Sequence, residues 1–206
     1  MKENKYSLIF LLFLLIIFQS MIETTSIDCL ISNIKYSFEY FHTSDDKIDE
    51  TGKLYKRNLY TYPLEKIDDF NNLRWTLTSI DETSDTFLIH NYQFVDEYVC
   101  ASFKFDDANR NKRMVYRMNQ SKIKRSDNCK WRLIRTNTGL NNRTFIIENV
   151  KYKEPLFADE SFFQRDQLNK RNIYTFNNET LIEEQMDETE WILDCSRGHI
   201  FVNQQD

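Results

Sequence analysis

Lys56-Arg57-Asn58-Leu59-Tyr60-Thr61-Tyr62 is a stretch that the chain writes three times. It returns as Lys112-Arg113-Met114-Val115-Tyr116-Arg117-Met118 and again as Lys170-Arg171-Asn172-Ile173-Tyr174-Thr175-Phe176. An Ile-x-Asn precedes each copy, with Asn33, Asn91 and Asn149 spaced 58 and 58 apart. A Trp-x-Leu follows each copy, at Trp75/Leu77, Trp131/Leu133 and Trp191/Leu193. A fixed period of this length means one supersecondary unit used three times.

Within each unit the apolar residues alternate, which favours strands over helices. Four short strands per unit are expected. The first ends on the Asn (Cys29–Asn33, Phe87–Asn91, Phe145–Asn149). The second opens on a Glu (Glu39, Glu97, Glu154). The third is the Lys-Arg segment and the fourth the Trp-x-Leu segment. With 3 glycines in the chain, turns are expected to lean on Asn and Asp, which tolerate left-handed backbone better than other residues.

Residues 1–26 read as an export signal. Lys2 and Lys5 are followed by an unbroken apolar run from Leu8 to Phe18, too short to span a bilayer, which needs roughly 20 residues. Thr24 and Ser26 are small residues suited to cleavage before Ile27. Residues 27–206 are then one domain, with units near 27–84, 85–142 and 143–206. The expected location is extracellular, and no transmembrane segment is expected. The apolar fraction of 41% and aromatic fraction of 15% suffice to fill a core and argue against disorder.

Four cysteines remain after the signal: Cys29, Cys100, Cys129 and Cys195. An even count in an exported chain implies two disulfides, with three connectivities open. Asn119, Asn142 and Asn178 head Asn-x-Ser/Thr triplets and are candidate glycosylation sites. No metal-ligand spacing, cofactor motif or catalytic motif occurs, so a non-enzymatic protein without a metal or cofactor is expected.

Three four-stranded units over nearly the whole exported length resemble the β-trefoil superfamily, an all-β fold of twelve short strands. A solenoid would want more copies, and a propeller typically at least four blades. The resemblance implies that the first and last strands are neighbours. It thereby implies Cys29–Cys195, with Cys100–Cys129 bracing the second unit. Ricin-type trefoil lectins carry Gln-x-Trp in each unit. Here the residues two before each Trp are Leu73, Cys129 and Thr189, so that signature is absent. The repeated Trp and Tyr residues are expected in the core, and the Asn set is expected to tie down turns.

Charge is segregated. Between Ala108 and Arg143 stand eleven basic residues and one acid, Asp127, in a chain whose net charge is −5. The candidate polyanion-binding residues are Arg110, Lys112, Arg113, Arg117, Lys122, Lys124, Arg125, Lys130, Arg132 and Arg135, with Arg143 at the edge of the window. Arg forks match sulfate and phosphate oxygens, and fibroblast-growth-factor-like trefoils offer the precedent of basic surface loops that bind sulfated glycans. The expected partner is an anionic glycan or an extracellular protein rather than nucleic acid, since no stacking platform is identifiable. Alternative readings are a soybean-type trefoil protease inhibitor presenting Lys122–Arg125, a cytokine-like recognition factor, and a basic run that merely balances the acidic stretch 179–190.

Overall fold

The computed structural model describes residues 26–47, 56–80, 85–106, 111–119, 126–136, 143–162, 170–177 and 186–195. The export signal up to residue 25, Asn142 and Asn178 lie outside them; Asn119 ends a strand and is half-buried. Twelve strands follow in chain order: β1 Ser26–Asn33, β2 Glu39–Lys47, β3 Lys56–Pro63, β4 Arg74–Ser79, β5 Thr86–Asn91, β6 Phe94–Ala101, β7 Lys112–Asn119, β8 Lys130–Arg135, β9 Thr144–Asn149, β10 Leu156–Phe162, β11 Arg171–Phe176 and β12 Glu190–Cys195.

The first and fourth strands of the units pair in a closed ring: β1–β4, β4–β5, β5–β8, β8–β9, β9–β12 and β12–β1. This is a six-stranded barrel, which has no free edge. The second and third strands form three hairpins, β2–β3, β6–β7 and β10–β11. Their third strands also pair with one another, β3–β7, β7–β11 and β11–β3, so the hairpins close into a triangle. Barrel and hairpin triplet together are a β-trefoil.

Pairing is threefold to the residue. Asn33 faces Trp191, Asn91 faces Trp75, and Asn149 faces Trp131. Across the other edge of the first strands, Cys29 faces Trp75, Phe87 faces Trp131, and Phe145 faces Trp191. One cluster fills the barrel: the three Trp, Ile31, Ile89 and Ile147, Leu77, Leu133 and Leu193, and a residue from each second strand (Phe41, Val99, Leu156). All three Trp are wholly buried, as the alternation of the fourth strand requires. Two smaller clusters lie under the connections, one around Cys100–Cys129 with Tyr116 and Met118, the other around Tyr60, Tyr62, Ile67 and Leu73.

Each Asn performs the expected turn work twice. Its Oδ1 accepts the backbone N–H of a following turn residue: Lys35 on Asn33 (3.1 Å), Gln93 on Asn91 (3.0 Å), Tyr152 on Asn149 (3.3 Å). Its Nδ2 donates to carbonyls at the entry to a fourth strand: Glu188 and Glu190, Asn72 and Arg74, or Asn128 and Lys130. The left-handed backbone falls elsewhere than expected. Among the described residues it is a lysine, Lys153 (φ 57°), that takes positive φ without being glycine. The Asn side chains are spent on hydrogen bonds while their own backbones stay in strands.

The disulfides are Cys29–Cys195, joining the first strand to the last, and Cys100–Cys129. The first closes 166 residues and the second 29. Chain entropy in the unfolded state grows with the logarithm of loop length. Replacing Cys29 and Cys195 by Ser should therefore lower the unfolding free energy by about 1.5 kcal/mol more than replacing Cys100 and Cys129 does. Urea unfolding of the two variants measures the difference; equal or reversed losses would contradict the barrel-closing role.

Candidate functional site

The charged residues of the repeat meet on the hairpin triplet. The Arg of each Lys-Arg pair leaves its own unit and binds the repeated Glu of the next, which opens the second strand as expected at Glu39 alone: Glu97 lies inside β6 and Glu154 just before β10. Arg171 grips Glu39 through Nε and Nη2, at 2.9 and 3.0 Å. Arg57 reaches Glu97 at 3.0 Å, and Arg113 reaches both oxygens of Glu154 at 2.9 Å. Each Glu meets a further residue of its own third strand: Thr61 donates to Glu39 and Thr175 to Glu154, and Arg117 forms an ion pair with Glu97 at 3.4 Å. Each guanidinium also covers the aromatic residue three positions after the repeat Asn: Arg171 over Tyr36 (3.5 Å), Arg57 over Phe94 (4.5 Å), Arg113 over Tyr152 (4.1 Å). A planar, always-charged fork is suited to this double contact.

The lysines follow the same cyclic rule. Lys56 lies over Tyr116, Lys112 over Tyr174 and Lys170 over Tyr60. Lys112 is also ion-paired with Asp159. The triplet is thus sewn together from unit to unit by charge. Glu39, Glu97 and Glu154 recur near the 58-residue period, but their pairing with the Lys-Arg segments is not among the expectations from sequence.

The basic window of the second unit divides accordingly. Arg113 and Arg117 are buried or nearly so against carboxylates, and Lys112 is held by Asp159. Lys130 pairs with Asp127, and Arg132 lies within 4 Å of Asp85 and Glu148. Arg135 lies over Phe145, and the exposed Arg143 meets Asp194. Arg110, Lys122, Lys124 and Arg125 lie outside the described residues. Arg135 apart, the described members of the window pair with acids of the second and third units. The described part of the acidic stretch serves a different base: Glu188, buried, pairs with Lys35, whose ammonium pKa it raises.

Of the three histidines, His199 lies outside the described residues. His42 is buried against Tyr60 and Tyr62. His90 is half-buried beside Tyr98. Among the described residues no group of three or more His, Cys, Asp or Glu is placed to hold a metal, and no helix is long and apolar enough to cross a membrane.

One cleft of about 390 Å³ opens on the barrel wall beside the Cys29–Cys195 bond, lined by Asp28, Leu30, Phe70, Arg74 and Asp194. No sequence signal pointed to it, because its polar residues are not repeated.

No family model matches the chain, and no curated protein matches it. Solved structures do. The SDF2-like protein from Arabidopsis thaliana is 11% identical, with a TM-score of 0.59 over 83% of this chain and 93% of its own. A salivary protein from Culex quinquefasciatus of the Cysteine and Tryptophan-Rich family is 17% identical, with a TM-score of 0.55 over 84% of this chain and 95% of its own. The designed threefold-symmetric protein ThreeFoil is 12% identical, with a TM-score of 0.53 over 81% and 96%. At these identities the likeness is one of fold.

His42 supplies a pH test of the packing. Burial, and then the charge of Lys170, lower its pKa to about 4 from 6.5. The native state holds it neutral while the unfolded chain protonates it. Stability is therefore intact above pH 6.5 and falls as pH drops toward 4. The full effect approaches about 3 kcal/mol. His42→Gln should remove that part of the slope between pH 7.5 and 4.5 in urea midpoints; an unchanged slope would contradict a buried neutral imidazole.

Proposed function

We propose that this chain is a secreted, non-catalytic binding module whose ligands are held by surface residues on a rigid trefoil body. The observation that carries the reading is the division of labour among polar residues. The repeated Asn, Arg, Glu and Trp groups are consumed by bonds that hold the fold together. Several residues that vary from unit to unit lie on the surface, Phe70, Arg143 and Asp194 among them. Two disulfides fit an oxidising compartment, and the Culex neighbour is a salivary protein.

The finer assignment is an anionic glycan bound by the second unit. Lys112, Arg113 and Arg117 are committed to carboxylates in the body, so the ligand-facing charges of this reading are Arg110, Lys122, Lys124 and Arg125, with Arg143 and Lys130 at their border. A cluster of this kind steers a polyanion in spite of the acidic whole.

Heparin chromatography on glycosylated, disulfide-intact protein tests the assignment. Retention should persist above physiological salt and weaken steeply as salt rises, because each neutralised charge releases counterions. Changing Lys122, Lys124 and Arg125 to Ala together should lower the log–log salt slope by about three. Elution at or below physiological salt that ignores the triple change would remove the anionic ligand.

A further inference from the structure

We infer that the cleft beside the Cys29–Cys195 bond is a binding site for a neutral pyranose sugar. The inference rests on reading the chain as a binding module and shares with the basic window only Arg143, which pairs with Asp194.

Pseudosymmetry supplies the control. By strand register, Arg74 stands where the other units have Lys130 and Glu190, each facing Leu30 or its counterpart Leu88 or Ile146. Asp194 likewise corresponds to Thr78 and Ile134, and Asp28 to Thr86 and Thr144. Phe70, five residues before its Trp, corresponds to Ser126 and Met186. Core positions keep their type in all three units; this set changes at every polar position. Among the described residues, an exposed aromatic ring and two aspartates share one cleft where the first unit meets the third. Cys29 also stands where the other units place Phe87 and Phe145, so a disulfide rather than a ring borders the space.

The chemistry of the lining selects the ligand. Phe70 is 62% exposed, a large apolar face offered to solvent. Its backbone is fixed from both sides: Asp69 accepts the N–H of Asn71 at 2.9 Å, and Asn91 donates to the carbonyls of Asn72 and Arg74. The backbone that carries the ring is therefore held in place. Leu30 and the disulfide give an apolar floor. The charges arrive as pairs, Arg74 with Asp28 and Arg143 with Asp194. A cation or an anion would have to displace a partner. A neutral polyol need not: carboxylate oxygens accept further hydroxyl hydrogens, and guanidinium N–H groups donate to hydroxyl oxygens. A pyranose combines those hydroxyls with a C–H face that packs on an aromatic ring. The volume falls within the roughly 300–1,000 Å³ of ligand sites.

The test is a titration of the intact ¹⁵N-labelled protein with methyl glycosides of glucose, galactose, mannose and N-acetylglucosamine, followed by amide shifts. At least one should give saturable shifts centred on Leu30, Phe70–Arg74 and Asp194, with a Kd of order millimolar. Phe70→Ala should weaken that binding by about tenfold or more, and Asp194→Asn should weaken it too. Both residues are exposed, so thermal unfolding should stay within a few degrees of the parent. No saturable shift up to about 100 mM of any glycoside, or binding indifferent to Phe70→Ala, overturns the site. Heparin retention reads the second unit alone and should be unmoved by Phe70→Ala. A failed cleft with intact heparin retention thus refutes this inference and spares the binding-module reading. Failure of both arms refutes both ligand assignments.

Discussion

The bond on which the architecture depends is made by a tryptophan. In each unit the indole N–H of the fourth strand donates to a carbonyl of a second strand: Trp75 to Phe41 at 2.8 Å, Trp131 to Val99 at 2.9 Å, Trp191 to Leu156 at 3.0 Å. The ring fills the barrel and its one polar atom ties the barrel to the hairpin triplet. A buried indole without an acceptor would lose about 1–3 kcal/mol, so the carbonyl must be where it is. The Asn opposite each Trp fixes the adjoining turns, which sets the height at which that carbonyl arrives. Size, alternation and hydrogen bonding therefore constrain the same positions three times over.

Charge does for the hairpins what the indoles do for the barrel. Arg57, Arg113 and Arg171 each cross to a Glu of the following unit and lie on an aromatic ring there. Such pairs are buried enough that losing one partner strands the other, at about 3–5 kcal/mol. They contribute orientation as much as stability, since a fork and a carboxylate meet well in one geometry. The second unit departs from the pattern at Arg117, which replaces the Thr of the other two and brings a second guanidinium to Glu97. Much of the apparent basic excess of that unit is this structural investment. A count along the window could not show it, because most of the balancing acids, such as Glu97, Glu154 and Asp159, lie outside the window.

The fold was legible because core positions answer to packing, and packing in a trefoil is threefold. The four strands of each unit, the inward Trp and the turn-tying Asn all follow from the repeat. The pairing of Cys29 with Cys195 followed once the barrel was taken to close. The ion-pair ring was half legible: its Glu residues recur with the period, yet nothing in a linear pattern says that each partner lies one unit on. The cleft was invisible for the opposite reason. Asp28, Phe70, Arg74 and Asp194 break the repeat, and residues unlike their counterparts carry no periodic signal. Lys153 shows the limit for turns, since its left-handed backbone follows from the hydrogen bonds between Asn149 and residues 153 and 154 rather than from its own side chain.

The three indole hydrogens give the most direct measure of the account. In native-state hydrogen–deuterium exchange followed by NMR, Trp75, Trp131 and Trp191 Nε1–H should all exchange only through opening of the whole domain, with the same free energy as the slowest barrel amides. One indole exchanging freely, or at a much lower free energy than the other two, would show that barrel and hairpins are not joined three times alike.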